Sequence, residues 1–268
     1  MIQTMQLAGY FLITSIFVNL TCGAYAAAGE YSTPNPRVTI IIDDIGNNLA
    51  LGILAVQLPG DVTFAIMPHT PNGVRLAEQA HRNGKKIILH APMQSHDALL
   101  NLGKGALLLS MEEQLYRHTL ITALESIPHI SGLNNHMGSL LTEHRRPMTW
   151  LMSELKKRNL YFIDSFTSAR SVARQTALRL GLPSLTRDVF LDNDQSIEAI
   201  DKEYSKFLRV ARRQGYAIAI GHPYPNTLSY LKQAIPKLEK QGINLINASS
   251  MISGPNPNNW KKYTANRH

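Results

Sequence analysis

Six side chains of the kinds that move protons or hold metals each stand just behind an apolar run: Asp43, Asp44, His90, His136, Asp164 and His222. Asp43 and Asp44 are adjacent carboxylates. Buried at a strand end, they would repel each other and lose hydration unless a cation or a set of donors compensated them. A divalent metal does this, and Asp oxygen with neutral imidazole nitrogen suits zinc and related first-row ions. An Asp/His/His set leaves a position open for water, which is the arrangement of a catalytic centre rather than a structural one. Taken singly, each residue has a plainer use. An Asp-Asp pair caps helices and makes turns, and a lone buried histidine is usually a hydrogen-bonded core residue. Their recurrence at the same position relative to successive apolar runs is what points to a site.

The runs themselves alternate in kind. Residues 38–42 are a continuous β-branched stretch, the pattern of a strand buried on both faces. Further strands are expected at 62–66, 86–89, 130–133, 160–163, 216–220 and 243–246. Helices are expected at 48–58, 72–82, 111–125, 148–158, 171–180, 196–214 and 228–241, with Ser110 and Glu113 forming a capping box before the third. Strands alternating with helices imply parallel βαβ units. The expected architecture is a single α/β domain, a distorted or incomplete (β/α) barrel of about seven parallel strands. In such folds the functional edge is the C-terminal end of the strands, where all six residues fall. His69, behind the second strand, belongs to the rim of that edge.

Beyond these residues, Val38-Thr-Ile-Ile-Ile-Asp-Asp-Ile-Gly46 resembles the first motif of the divergent polysaccharide deacetylase family, a branch of the polysaccharide deacetylase superfamily. Leu89-His-Ala-Pro-Met93, Leu133-Asn-Asn-His-Met-Gly-Ser139, Ile163-Asp-Ser165 and Gly221-His-Pro223 resemble its later motifs. The resemblance spans residues 37–252. It implies metal-assisted hydrolysis of an acetyl amide or ester on a glycan. Asp43 would be the general base, His222 the general acid and Asp164 the acidic residue of the fourth motif. Asp44 and His90 would be metal ligands. Two departures are visible. Gln94 stands where typical members have a second metal histidine, four residues after the first, and His136 is the substitute expected from the next strand. No arginine stands in the third motif, where Asn134 and Asn135 are found. The cofactor implied is a divalent metal, zinc foremost, and the partner an acetylated glycan. The competing expectation is a catalytically inactive module of the same fold that binds a glycan or an envelope protein.

The N-terminus carries its own signal. Residues 7–20 are nearly all apolar, no charged side chain precedes Glu30, and Ala24-Tyr25-Ala26 fits a cleavage site for a secretory signal peptide. The expected organisation is a signal peptide over 1–26, a linker over 27–36, the deacetylase-like domain over 37–252 and a polar tail over 253–268. The single cysteine, Cys22, falls in the signal segment, so the mature chain would have no thiol. A periplasmic or secreted location is expected, with no stable membrane insertion after cleavage. The net charge is +8. Its basic residues are dispersed and not interleaved with aromatics, which argues against nucleic-acid binding.

Overall fold

The computed structural model describes residues 35–254. The signal peptide, most of the linker and most of the polar tail expected from the sequence lie outside the described residues. No helix among the described residues is long and apolar enough to cross a membrane.

Among the described residues, nine strands, all paired in parallel, form one curled sheet. They are β1 (Arg37–Ile45), β2 (Thr63–Ile66), β3 (Lys86–Met93), β4 (Ile130–Met137), β5 (Tyr161–Asp164), β6 (Ser184–Thr186), β7 (Val189–Phe190), β8 (Tyr216–Gly221) and β9 (Asn244–Leu245). The order is β6-β5-β4-β3-β2-β1-β8-β7, with β9 added beside the start of β1. Between them run α1 (Leu49–Val56), α2 (Gly73–Arg82), α3 (Glu113–Glu125), α4 (Arg145–Lys157), α5 (Ala173–Arg179), α6 (Ile197–Gln214) and α7 (Pro225–Ala234), with a last short helix, α8 (Ala248–Ser253). This is the distorted, incomplete (β/α) barrel expected. The two ends of the ladder are consecutive in the chain. β6 pairs with β5 and β7 with β8, and only Arg187 and Asp188 separate them. One extended segment thus changes partner across the barrel seam. Asp188 fixes the change by accepting the Ile218 N–H at 2.8 Å.

The alternation of side chains along each strand divides the core in two. Val38, Ile40, Ile42, Leu89, Leu133 and Phe162 face outward and pack beneath the helices. Ile41, Ala65, Ile88, Ile163, Leu185, Ile218 and Ile220 face inward and fill the lumen, which Ala248, Met251 and Ile252 of α8 also pack. Continuing the inward phase by two residues from Ile41, Ile88, Ile163 and Ile220 reaches Asp43, His90, Ser165 and His222. An apolar plug therefore carries a polar crown at its C-terminal end.

Three local expectations need correction. α3 begins at Glu113 after Glu112, whose side chain caps nothing, so the Ser110 capping box does not form. The helix expected at 228–241 starts earlier, with Pro225 in its first turn, and gives way after Ala234 to two 3₁₀ turns, Ile235–Lys237 and Glu239–Gln241. Proline supplies the φ a first turn needs, and Pro236 cannot donate the backbone hydrogen bond that would continue the helix. β6, β7 and α8 had no counterpart in the expectation, because two to six residues are too few for periodicity to register.

Behind the crown, the turn after β1 is locked to the turn after β2. Gly46 has φ 136°, and a Cβ built there would stand 2.1 Å from Thr70 Oγ1. Gly46→Ala should lower stability by about 1–3 kcal/mol from backbone strain alone, with more from the collision. Urea unfolding of the variant beside wild type checks this, and an unchanged midpoint would refute the locking.

Candidate metal centre and proton-transfer residues

Five of the six residues meet in one cleft. Asp44 Oδ1 lies 3.1 Å from His90 Nε2 and 2.9 Å from His136 Nδ1, and the two imidazole nitrogens are 3.1 Å apart. Although the Asp44 side chain is partly exposed, its Oδ1 is buried and has no hydrogen-bond partner. The two rings are within hydrogen-bond geometry of each other, whereas Asp44 Oδ1 approaches both without it, and all three atoms are close enough to hold one ion. Ligands about 2.0–2.2 Å from a tetrahedral ion stand roughly 3.3 Å apart, so the triangle has the right size. Asp44 reaches it through a left-handed backbone, φ 57°, at the register break that follows Ile42 in β1. Without that turn, Asp44 would take the outward phase of Ile42. Such a conformation in a non-glycine residue carries strain, and strain collects where geometry serves a site.

The buried residue behind the triangle is Asn134. Its Nδ2 donates to both oxygens of Asp43, at 2.9 and 3.1 Å, and lies 3.2 Å from Ser165 Oγ. Its Oδ1 then faces His90 Nδ1 at 2.8 Å. Since an amide oxygen only accepts, Nδ1 of His90 carries the hydrogen and Nε2 is left to bind a cation. Burial opposes a charge on His90, but the carboxylates of Asp43 and Asp44 outweigh it and raise its pKa. The same carboxylates would favour a metal ion at that point. For Asp44, too, burial works against the charged form. The His136 and His90 contacts override it and hold the carboxyl well below the ordinary range. Asp43 goes the other way: burial dominates and raises it, against His90, His222 and the Asn134 hydrogen bond.

His222 stands with Nε2 4.0 Å from Asp44 Oδ2, between the rings of Phe190 and Tyr224. Its Nδ1 meets Asp192 Oδ1 at 2.9 Å. Asp192 also accepts the His222 N–H and the Thr227 hydroxyl. Burial disfavours the imidazolium, but the Asp192 hydrogen bond and the carboxylates of Asp192, Asp43 and Asp44 outweigh it, pushing His222 up to about 9.

Asp164 is placed differently. It has the phase of Phe162, which faces the helices, and its oxygens accept the Phe166 N–H and the Ser171 hydroxyl of its own loop. The inward position at that strand end belongs to Ser165. The residues that sequence reasoning missed are Asn134 as the shared support, Asp192 as the partner of His222, and Arg187. Arg187 sits at the seam, donates to the carbonyls of Ser165 and Phe166 and lies within electrostatic reach of Asp164, Asp188 and Asp43. A cation therefore stands near Asp43, although none occurs in the third motif. Asp192 had a signal, since Val189-Phe-Leu-Asp192 is a further apolar run ending in a carboxylate. Gln94 does not join the metal triangle: its Oε1 accepts the Leu109 N–H at 2.7 Å.

A profile of the divergent polysaccharide deacetylase family matches residues 40–252. An uncharacterized protein of Haemophilus influenzae is 33% identical over 85% of this chain and 81% of its own length. The chain belongs to the divergent polysaccharide deacetylase family. Among solved structures, an uncharacterized protein of Agrobacterium tumefaciens superimposes with a TM-score of 0.79 at 23% identity, covering 82% of this chain and 90% of that one. The catalytic domain of a peptidoglycan N-acetylglucosamine deacetylase from Eubacterium rectale gives 0.52 at 13% identity, over 84% and 96%. These two likenesses establish a shared fold.

Two substitutions test the triangle without any activity assay. His90→Ala should abolish stoichiometric metal binding measured by elemental analysis, because two protein ligands are too few. Asn134→Leu, which leaves all three ligands in place, should weaken binding about 10–100-fold in a competition titration, as lost support of a ligand histidine does. Full metal content in the His90 variant would show the ligand set to be wrong.

Proposed function

We propose that this member of the family is an exported, zinc-dependent carbohydrate deacetylase acting on an acetylated envelope or extracellular glycan. What carries the reading is that a metal triangle, a carboxylate with a raised pKa and an imidazole with a raised pKa share one cleft. Hydrolysis of an acetyl amide needs those three functions. A divalent ion held by Asp44, His90 and His136 would polarise the acetyl carbonyl and acidify water.

The chain's own residues do the rest. Asp43 accepts the proton of the attacking water. Its burial helps, because a carboxyl raised toward neutrality is a better general base than a fully solvated one. Asn134 holds both Asp43 oxygens and so keeps the base oriented through the cycle. His222 gives its Nε2 proton to the departing nitrogen or oxygen, a step that an amine leaving group requires. Asp192 fixes the His222 tautomer and keeps the imidazole charged near neutral pH. The products are acetate and a free amino or hydroxyl group on the sugar. The inactive-module reading leans on Gln94 and on the missing third-motif arginine; the His136 nitrogen beside His90 and Asp44 speaks against the first ground, and the second stands.

Asp43→Asn and His222→Ala should each lower acetate release from acetylated glycans by about 10²–10⁴-fold while metal content stays at the wild-type level. The combined loss should be smaller than the product of the two, since both residues serve one cycle. A metal-loaded wild-type protein that releases no acetate from peptidoglycan fragments or acetylated exopolysaccharides would defeat the enzyme reading.

A pH profile isolates Asp192. His222 acts as acid only while protonated, so activity falls as pH rises through its pKa. Removing the charge that raises that pKa must move the fall to lower pH. Asp192→Asn is therefore expected to shift the basic limb of kcat/KM downward and leave the acidic limb in place. An unmoved basic limb would take Asp192 out of the proton pathway.

A further inference from the structure

Beside the metal triangle lies a second recess, a cavity of about 380 Å³ that Asp44 and His136 also line. At the small end of ligand-pocket sizes, about 300–1,000 Å³, it holds roughly one sugar ring next to the acetyl group. Its other polar lining comes from Asn47, His69, Thr70, Asn101 and Lys104. None of the lining residues is Phe, Tyr or Trp, so stacking on a pyranose face is not its means of recognition. Lys104 is its one fixed cation, and its one carboxylate, Asp44, is engaged with the histidines of the triangle.

The rim carrying Lys104 is built, not draped. The chain leaves β3 and returns at residues 107–109. Gln94 N–H donates to the Leu107 carbonyl at 3.0 Å and Leu107 N–H to the Pro92 carbonyl at 2.9 Å, while Gln94 Oε1 takes the Leu109 N–H. Within the excursion, Gly103 N–H donates to Asn101 Oδ1. The imidazole of His69 lies so close to Gly105 (φ 78°) that a Cβ there would stand 2.9 Å from its Cδ2. The side chain at 94, which supplies no ligand to the triangle, thus pins the loop that brings Lys104 to the cavity.

From this lining, and resting on the deacetylase reading of the adjoining triangle, we infer that the recess selects a sugar bearing a carboxylate, bound by Lys104 next to the acetylated position. Asn47 and Asn101 offer amide donors and acceptors for hydroxyls of the same ring. A carboxylate there meets a cation on one side and, with the triangle loaded, no unbalanced negative charge on the other.

Three tetrasaccharides separate charge from shape. One is the neutral N-acetylglucosamine oligomer. The second alternates N-acetylglucosamine with N-acetylmuramic acid, its lactyl carboxylates free. The third is the second with those carboxylates reduced to alcohols. Each is titrated calorimetrically into the zinc-loaded mature protein, and acetate is assayed in parallel. The carboxylate form should bind about two- to fivefold more tightly than its reduced form, the scale of one exposed ion pair. Lys104→Ala should erase that ratio and Lys104→Arg should keep it. Equal binding of the two forms by wild type, a ratio that survives Lys104→Ala, or no binding of any of the three overturns the inference. Acetate release judges the underlying reading separately: charge-selective binding without acetate would retain the subsite and refute the deacetylase.

Discussion

Two adjacent carboxylates at the end of a strand buried on both faces set the terms for this molecule. Neither Asp43 nor Asp44 is tolerable there unaided, since a buried charge must be paired or hydrogen-bonded, and each finds different relief. Asp43 keeps the inward phase of β1 and receives both of its hydrogen bonds from one amide, Asn134. Asp44 is swung out of the outward phase by a left-handed residue and comes against two imidazoles. The split turns a repulsive pair into two carboxylates with opposite behaviour. One sits above its ordinary pKa and the other far below it. Pairs of titratable groups pushed apart by their surroundings mark a division of roles. Under the proposed function, the division would be between accepting a proton and holding a cation.

Much of this was legible in the sequence, and the legible part follows from the period of two. The runs ending at Ile42, Leu89, Leu133 and Ile220 announced parallel strands, and the polar residues behind them announced the crown. The phase of each strand carries more still. Counting inward from Ile163 selects Ser165 and rejects Asp164, and counting from Phe190 selects Asp192. Both follow from the rule that places His90 above Ile88. What could not be read is the register break that redirects Asp44, because it depends on a backbone angle that an aspartate rarely adopts. The seam was equally hidden. Segments of three and two residues carry no periodicity of their own, and only their partners β5 and β8 define them as strands.

The seam also explains how a missing residue can be replaced without keeping its position. Typical members of the superfamily place an arginine in the third motif to orient the base. This chain has Asn134 there, a neutral donor, and its cation arrives on Arg187 from the segment that changes partner between β5 and β8. Arg187 is committed to the carbonyls of Ser165 and Phe166 and packs over the Phe190 ring, so it acts on Asp43 through space. The direct contact on Asp43 is Asn134's, and Arg187 adds a more distant charge, behind the burial, histidine and Asn134 effects that dominate there. His136 stands in a similar relation to the histidine that Gln94 displaces. In a barrel whose strand ends converge, the lumen fixes where a nitrogen or a charge must be, and several strands can deliver it.

Delivery from a different strand has a further consequence. A histidine four residues beyond His90 would have tied the β3 exit to the metal. With His136 supplying the nitrogen from β4, the exit of β3 is free to carry a loop of its own. Gln94 uses the freedom: its side chain accepts the Leu109 N–H and, beside the backbone bonds between residues 92–94 and Leu107, braces the wall that Lys104 shares with Asp44 and His136. The substitution that looked like damage to a metal site is thus a transfer of work between neighbouring strands. The triangle keeps three side chains able to hold an ion, and the exit of β3 shapes the ground beside it.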